Sequence, residues 1–100
     1  MIIFVDMDET ICHRSEEHKK DYEKSEPYLE RIEKINKLYD EGHTIMYWTA
    51  RGARSGINWF AVTYKQLQDW GCKFHELRLG KPHYDLYIDD KSINCNEYFK

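Results

Sequence analysis

The sequence predicts an α/β fold in three layers, a central parallel sheet with helices on both faces, and three observations predict it. Short apolar, β-favouring runs alternate along the chain with segments whose apolar residues recur every three or four positions. The runs are almost uniformly apolar, which suits strands buried on both faces better than half-exposed ones. Acidic or hydroxyl residues follow these runs, and the carboxyl ends of parallel strands are where functional groups collect.

The elements follow in order. Ile2, Ile3, Phe4 and Val5 make a first strand that ends at Asp6. Residues 13–26 are crowded with charge and hold no aliphatic side chain, so they read as a solvated loop or flap, too short for a cap domain. Leu29, Ile32, Ile35, Leu38 and Tyr39 then repeat at helical spacing, with Ser25 as a start signal and Gly42 as a stop. Residues 44–49 give a second strand ending at Thr49, and residues 50–56 a Gly- and Arg-containing turn. Trp59, Phe60, Thr63, Tyr64, Leu67 and Trp70 mark a second helix closed by Gly71. Residues 72–77 hold a short third strand and residues 84–88 a fourth, ending at Asp89 and Asp90. This order implies right-handed crossovers within one domain spanning residues 1–100.

Bulk properties exclude several function classes. Aromatic residues make up 15% and hydrophobic residues 41%, enough for a packed interior. A net charge of -3 with acids and bases interspersed offers no broad positive field for a nucleic acid. No apolar run approaches the ~18 residues of a membrane span, and the acidic start does not resemble a signal peptide. Cys12, Cys72 and Cys95 are odd in number and show no C-x-x-C spacing, which fits a reducing cytoplasm.

The chemistry concentrates in Asp6-Met7-Asp8-Glu9-Thr10. Carboxylates two positions apart leave extended backbone on the same side and share one pocket. Such crowding favours a hard cation with oxygen ligands, so Mg2+ held by Asp6, Asp8, Asp89 and Asp90 is the expected cofactor. The ion would let an anionic phosphate monoester approach. Asp6 can then attack phosphorus and Asp8 exchange protons with the leaving group and water. Lys81 offers a compact positive charge, while the Thr49 hydroxyl and the Ala50 backbone are placed to hold phosphate oxygens. Arg51 and Arg54 are candidate anion clamps, and equally ordinary turn residues. His83, after the Lys-Pro pair, is a candidate for the pocket mouth but reads better as an exposed loop residue, and His13, His18, His43 and His75 lack metal-ligand spacing.

Taken in order, Asp6-Met7-Asp8-Glu9-Thr10, Thr49, Lys81 and Asp89-Asp90 resemble the four motifs of the haloacid dehalogenase superfamily. Residues 47–52 (Tyr-Trp-Thr-Ala-Arg-Gly) and 80–91 are similar to those of small capless members associated with bacterial capsule and surface-sugar biosynthesis. The resemblance implies a Rossmann-like fold without a cap domain and a magnesium-dependent phosphatase working through an aspartyl phosphate. It implies Asp6 as nucleophile, Asp8 as acid/base and as a metal ligand through its carbonyl, and Asp89 or Asp90 as the completing carboxylate. It also implies a sugar phosphate as substrate. An open pocket is implied too, covered by a neighbouring subunit of a homo-oligomer or matched to a bulky substrate.

Two other functions use similar residues. A receiver module also phosphorylates an aspartate, but on a middle strand after an early acidic pair, whereas here D-x-D-x-T opens the chain. An inactive, partner-binding relative would be expected to have lost Asp6 or Asp8, and both are present.

Overall fold

The first apolar run forms strand β1 (Ile2–Val5), the opening element of a computed structural model that describes Met1–Lys100. A small antiparallel pair follows, β2 (Cys12–His13) with β3 (Glu26–Pro27). Then come α1 (Leu29–Asp40), β4 (Thr44–Trp48), α2 (Phe60–Asp69), β5 (Glu76–Arg78) and the short α3 (Cys95–Tyr98). The main sheet is parallel, in the order β1-β4-β5. No helix is long and apolar enough to cross a membrane.

Helix α1 forms where the spacing predicts it. Ile32 and Ile35, one turn apart on one face, are buried to 2% exposure, and Leu38 and Tyr39 extend the stripe. Gly42, at φ +99°, takes the left-handed conformation that ends the helix, and its N–H returns to the Tyr39 carbonyl. Ser25 does not cap α1, whose N-terminal flanking residue is Tyr28 without a side-chain cap. Gly71, at φ +73°, closes α2 in the same way as Gly42 closes α1.

Strand register explains which side of the sheet is core. Ile3 lies beside Ile45, and Val5 beside Tyr47, which in turn neighbours Leu77. Alternation sends this set to one face, where Val5, Ile45, Tyr47 and Leu77 pack with Ile32, Ile35 and Leu67 of the helices. Each such aliphatic side chain removed from water contributes about 1.5–3 kcal/mol.

The expected α/β class and parallel sheet form, but α1 and α2 both pack on the same face of the sheet. Both crossovers, β1-α1-β4 and β4-α2-β5, advance in the same direction across the sheet. Crossovers of one hand that advance in one direction lie on one face. The other face, carrying Ile2, Phe4, Met46, Trp48 and Arg78, has no helix on it. Ile2 is 72% exposed and Phe4 49%, with Phe4 touched by Trp48 edge-to-face at 5.8 Å and by the Arg78 guanidinium at 5.8 Å, while the central Met46 is buried.

The expected fourth strand at residues 84–88 is also absent, and this stretch, with a bend at Asp85, lies exposed outside the sheet. A parallel strand beside β1 would have to begin at the opposite end of the sheet from Lys81. Only Pro82 and His83 intervene, and parallel neighbours need a connection of about a dozen residues. The third strand is shorter than residues 72–77 suggested, covering Glu76–Arg78, because Cys72 to His75 serve as the approach to it. The flap, by contrast, is more ordered than its charge implied. Its ends pair as β2 and β3, and two 3-10 turns, Glu16–His18 and Tyr22–Lys24, fill the middle.

Candidate functional site

The site grows from the end of β1. Met7 is fully buried, so alternation turns its neighbours Asp6 and Asp8 away from the core and toward a common side. The chain then folds back at once: the N–H groups of Thr10 and Ile11 both donate to the Met7 carbonyl at 2.9 Å. Glu9 sits at φ +65°, the left-handed region that a non-glycine residue rarely adopts, and its N–H donates to Cys12 O at 2.8 Å. These hydrogen bonds hold the strained turn directly after Asp6 and Asp8.

Thr49, at the end of β4, links three parts of the site through hydrogen bonds. Its N–H donates to Arg78 O at 3.0 Å, and its carbonyl accepts the Lys81 N–H at 3.2 Å. Its Oγ1 accepts the Arg51 N–H at 3.2 Å, shaping the following turn. Lys81 is thereby delivered to the same end of the sheet, with Nζ 3.5 Å from Asp6 Oδ1. Thr10 Oγ1 donates to the other oxygen of Asp6 at 3.5 Å. The Ala50 N–H, half-buried in the turn, makes no hydrogen bond within the chain. Gly52 allows the turn: its φ is +81°, and a Cβ there would collide with the Ile57 carbonyl oxygen.

Asp8 is enclosed by cations. Arg14 Nη1 donates to Oδ1 at 2.8 Å, while Arg51 spans both oxygens from Nη2 and Nε at 3.0 and 3.1 Å. The Arg51 side chain is fully buried and donates further to Thr63 Oγ1, Gln66 Oε1 and Ser25 Oγ. Tyr22 lies under both guanidiniums, 4.3 Å from Arg14 and 4.7 Å from Arg51. Gln66 Nε2 donates to the Tyr22 carbonyl at 2.6 Å, tying the flap to α2.

Burial raises the Asp6 carboxyl above its ordinary value, with Asp8 adding to the rise and Lys81 and the Met7 N–H opposing it. The Cys12 thiol, buried next to Asp8, is pushed up to about 12 by loss of solvent and by that neighbouring charge.

The structure therefore brings together Asp6, Asp8, Thr49, Ala50, Arg51 and Lys81. Arg51 faces Asp8 with its donors occupied by protein groups, and Arg54 is exposed. Asp89 and Asp90 are exposed and do not join the group. The sequence does not mark Arg14, Tyr22, Thr63 or Gln66 as site residues, and Thr63 enters it only through helical spacing. Arg14 lies in a stretch that reads as solvated, and nothing in the order of residues links Gln66 to Tyr22, 44 positions earlier.

Within one chain no group of three or more acidic, histidine or cysteine side chains is placed to hold a metal ion. Cys12 Sγ lies 3.6 Å from Asp8 Oδ1, but it is a buried thiol whose pKa is raised. Both oxygens of Asp8 are held by guanidiniums, and Asp6 faces Lys81. Three cationic side chains against two carboxylates leave a positive surplus, which attracts an anion.

A scan against protein-family models finds no match, and no curated protein matches. Among solved structures, the chain is similar to a crystallised MCSG target from Vibrio cholerae, with a TM-score of 0.84 and 26% identity. The match covers 98% of this chain and 86% of that one.

Proposed function

We propose that the chain is a phosphate-monoester hydrolase of the haloacid dehalogenase type, with Asp6 as nucleophile. The observation that carries this is the Asp6–Lys81 pair, 3.5 Å apart at the carboxyl end of β1, in a pocket where cations outnumber carboxylates. An acidic nucleophile needs such a setting, because its target is itself an anion.

In the first step an Asp6 oxygen bonds to phosphorus as the ester P–O bond breaks, and the departing alkoxide takes a proton at Asp8. Water then attacks phosphorus, returns its proton to Asp8, and releases inorganic phosphate and free Asp6. Lys81 offsets the charge on the nucleophile and the transferring group, and the unpaired Ala50 N–H is free to hold a phosphoryl oxygen. Arg14 reaches Asp8 from the flap, and Arg51 reaches it from the core.

A cytoplasmic setting, a sugar phosphate as substrate and magnesium dependence belong to this proposal. The carboxylates that the metal requires beyond Asp6 are not supplied by a single chain. The test is phosphate release from a panel of sugar, nucleotide and peptide monoesters, with and without Mg2+, for the wild type and Asp6→Asn. Turnover that vanishes in the variant supports the assignment, and turnover that survives it rejects Asp6 as nucleophile.

A further inference from the structure

Residues 82–93 make no hydrogen bond, backbone or side-chain, to the rest of the chain, although both flanks are anchored. On one side Lys81 is tied to Thr49, and on the other Cys95 Sγ meets the Glu9 carbonyl at 3.3 Å. Within it residues 84–88 are nevertheless mostly apolar and β-favouring, with Leu86 75%, Tyr87 53% and Ile88 88% exposed.

The same molecule carries the counterpart. Strand β1 is bonded to β4 on one side only, so its outer edge presents unpaired N–H and C=O groups. Beside that edge lies the bare face, with exposed Ile2 and Phe4. One chain cannot join these halves in the parallel sense. From Lys81 to Tyr84 the backbone reaches at most about 11 Å. Crossing from β4 past β1 to the free edge takes about 10 Å, and descending the length of β1 about 13 Å more.

We propose that residues 84–88 of one copy add as a parallel strand to the free edge of β1 in a second copy. Asp89 and Asp90 of each protomer then stand beside Asp6 and Asp8 of the other. The charges match: the site has a positive surplus around Lys81, Arg14 and Arg51, and the incoming strand ends in two carboxylates. Reciprocal exchange closes a twofold dimer, satisfies the strand edge in both copies and gives each site the acidic groups it lacks. The sharing of the active site rests on the phosphatase proposal, whereas the exchange itself does not.

The experiment reads both parts separately. Sedimentation or light scattering of the full chain at micromolar concentration should give a dimer. Leu86→Pro, which removes a strand N–H, and Ile88→Asp should each give a monomer with unchanged helical circular dichroism. A monomeric wild type, or a dimer indifferent to both substitutions, overturns the exchange whatever the activity. For site sharing, Asp6→Asn is mixed and refolded with the Asp89→Asn/Asp90→Asn double variant, each inactive alone. Recovery of about a quarter of wild-type turnover is expected, because half the dimers are mixed and each mixed dimer holds one intact site. No recovery from an active wild type overturns the sharing. A dimer that releases phosphate from no monoester leaves the exchange standing and rejects the hydrolase assignment.

Discussion

The Arg51 guanidinium grips the Asp8 carboxylate edge-on, with Nε 3.1 Å from Oδ2 and Nη2 3.0 Å from Oδ1. A buried guanidinium is tolerable only because its remaining donors reach Thr63, Gln66 and Ser25. Removing it leaves Asp8 with Arg14 alone and strands three polar groups of α2 and the flap. Arg51→Met should therefore lower unfolding free energy by about 3 kcal/mol in urea titration. Arg51→Lys should recover little of that loss, because an ammonium keeps the charge but not the planar fork. Full stability in Arg51→Lys would show that charge, not geometry, holds the flap to α2.

How much of this was legible in the sequence depended on the range of each interaction. The D-x-D-x-T run placed Asp6 and Asp8 on one side through strand alternation, a property of neighbours in sequence. Helix α1 was legible from the spacing of Ile32 and Ile35, and its end from Gly42. Which face the helices cover was not, because that depends on the direction in which successive strands are added. Residues 84–88 have the composition of a strand, but composition carries no information on whether the connection before them is long enough. Arg14 and Tyr22 were hidden by the charge of the flap, where one arginine binds Asp8 while its neighbours face water.

Asp6 illustrates the tension between function and stability. Burial holds its carboxyl pKa above the ordinary 3.8 even with Lys81 beside it. The folded state therefore keeps this proton to higher pH than the unfolded chain does. Stability from this group is present below the ordinary value and falls as pH rises through the raised one, so at pH 7 the ionised group is a net cost. Asp6→Asn should be inactive and yet melt no lower than wild type at pH 7 by scanning calorimetry. The acid limb of kcat/KM should fall above the usual aspartate range, and Lys81→Met should move it higher still. A limb unmoved by Lys81→Met would show that Lys81 does not act on the nucleophile.

The three cysteines should separate cleanly toward a thiol reagent. Cys12 is fully buried with its thiol pushed up to about 12, and Cys72 is pushed up to about 11 by burial. At pH 8 the Cys12 thiolate is present at about one part in ten thousand. Cys95, partly exposed on α3, should react first with an aromatic disulfide such as DTNB, and Cys12 only on unfolding. Peptide mapping after a short exposure decides this, and labelling of Cys12 in the native protein would mean that the flap opens readily.

Gly52 and Gly56 make a matched pair for the turn that carries Arg51. Both have positive φ, +81° and +74°, so both resist a side chain to a similar degree on conformational grounds. They differ in surroundings: a Cβ at Gly56 meets nothing within 4 Å, whereas one at Gly52 meets the Ile57 carbonyl oxygen. Gly56→Ala should cost about 1 kcal/mol, the usual penalty for forcing a left-handed conformation on alanine. Gly52→Ala must also displace the backbone, and should cost about 3 kcal/mol while shifting Ala50 and Arg51 from their places around Asp8. Denaturant midpoints for the two variants give the comparison directly. Equal losses would show that the turn yields without disturbing Arg51, and phosphate turnover in Gly52→Ala would then match that of Gly56→Ala.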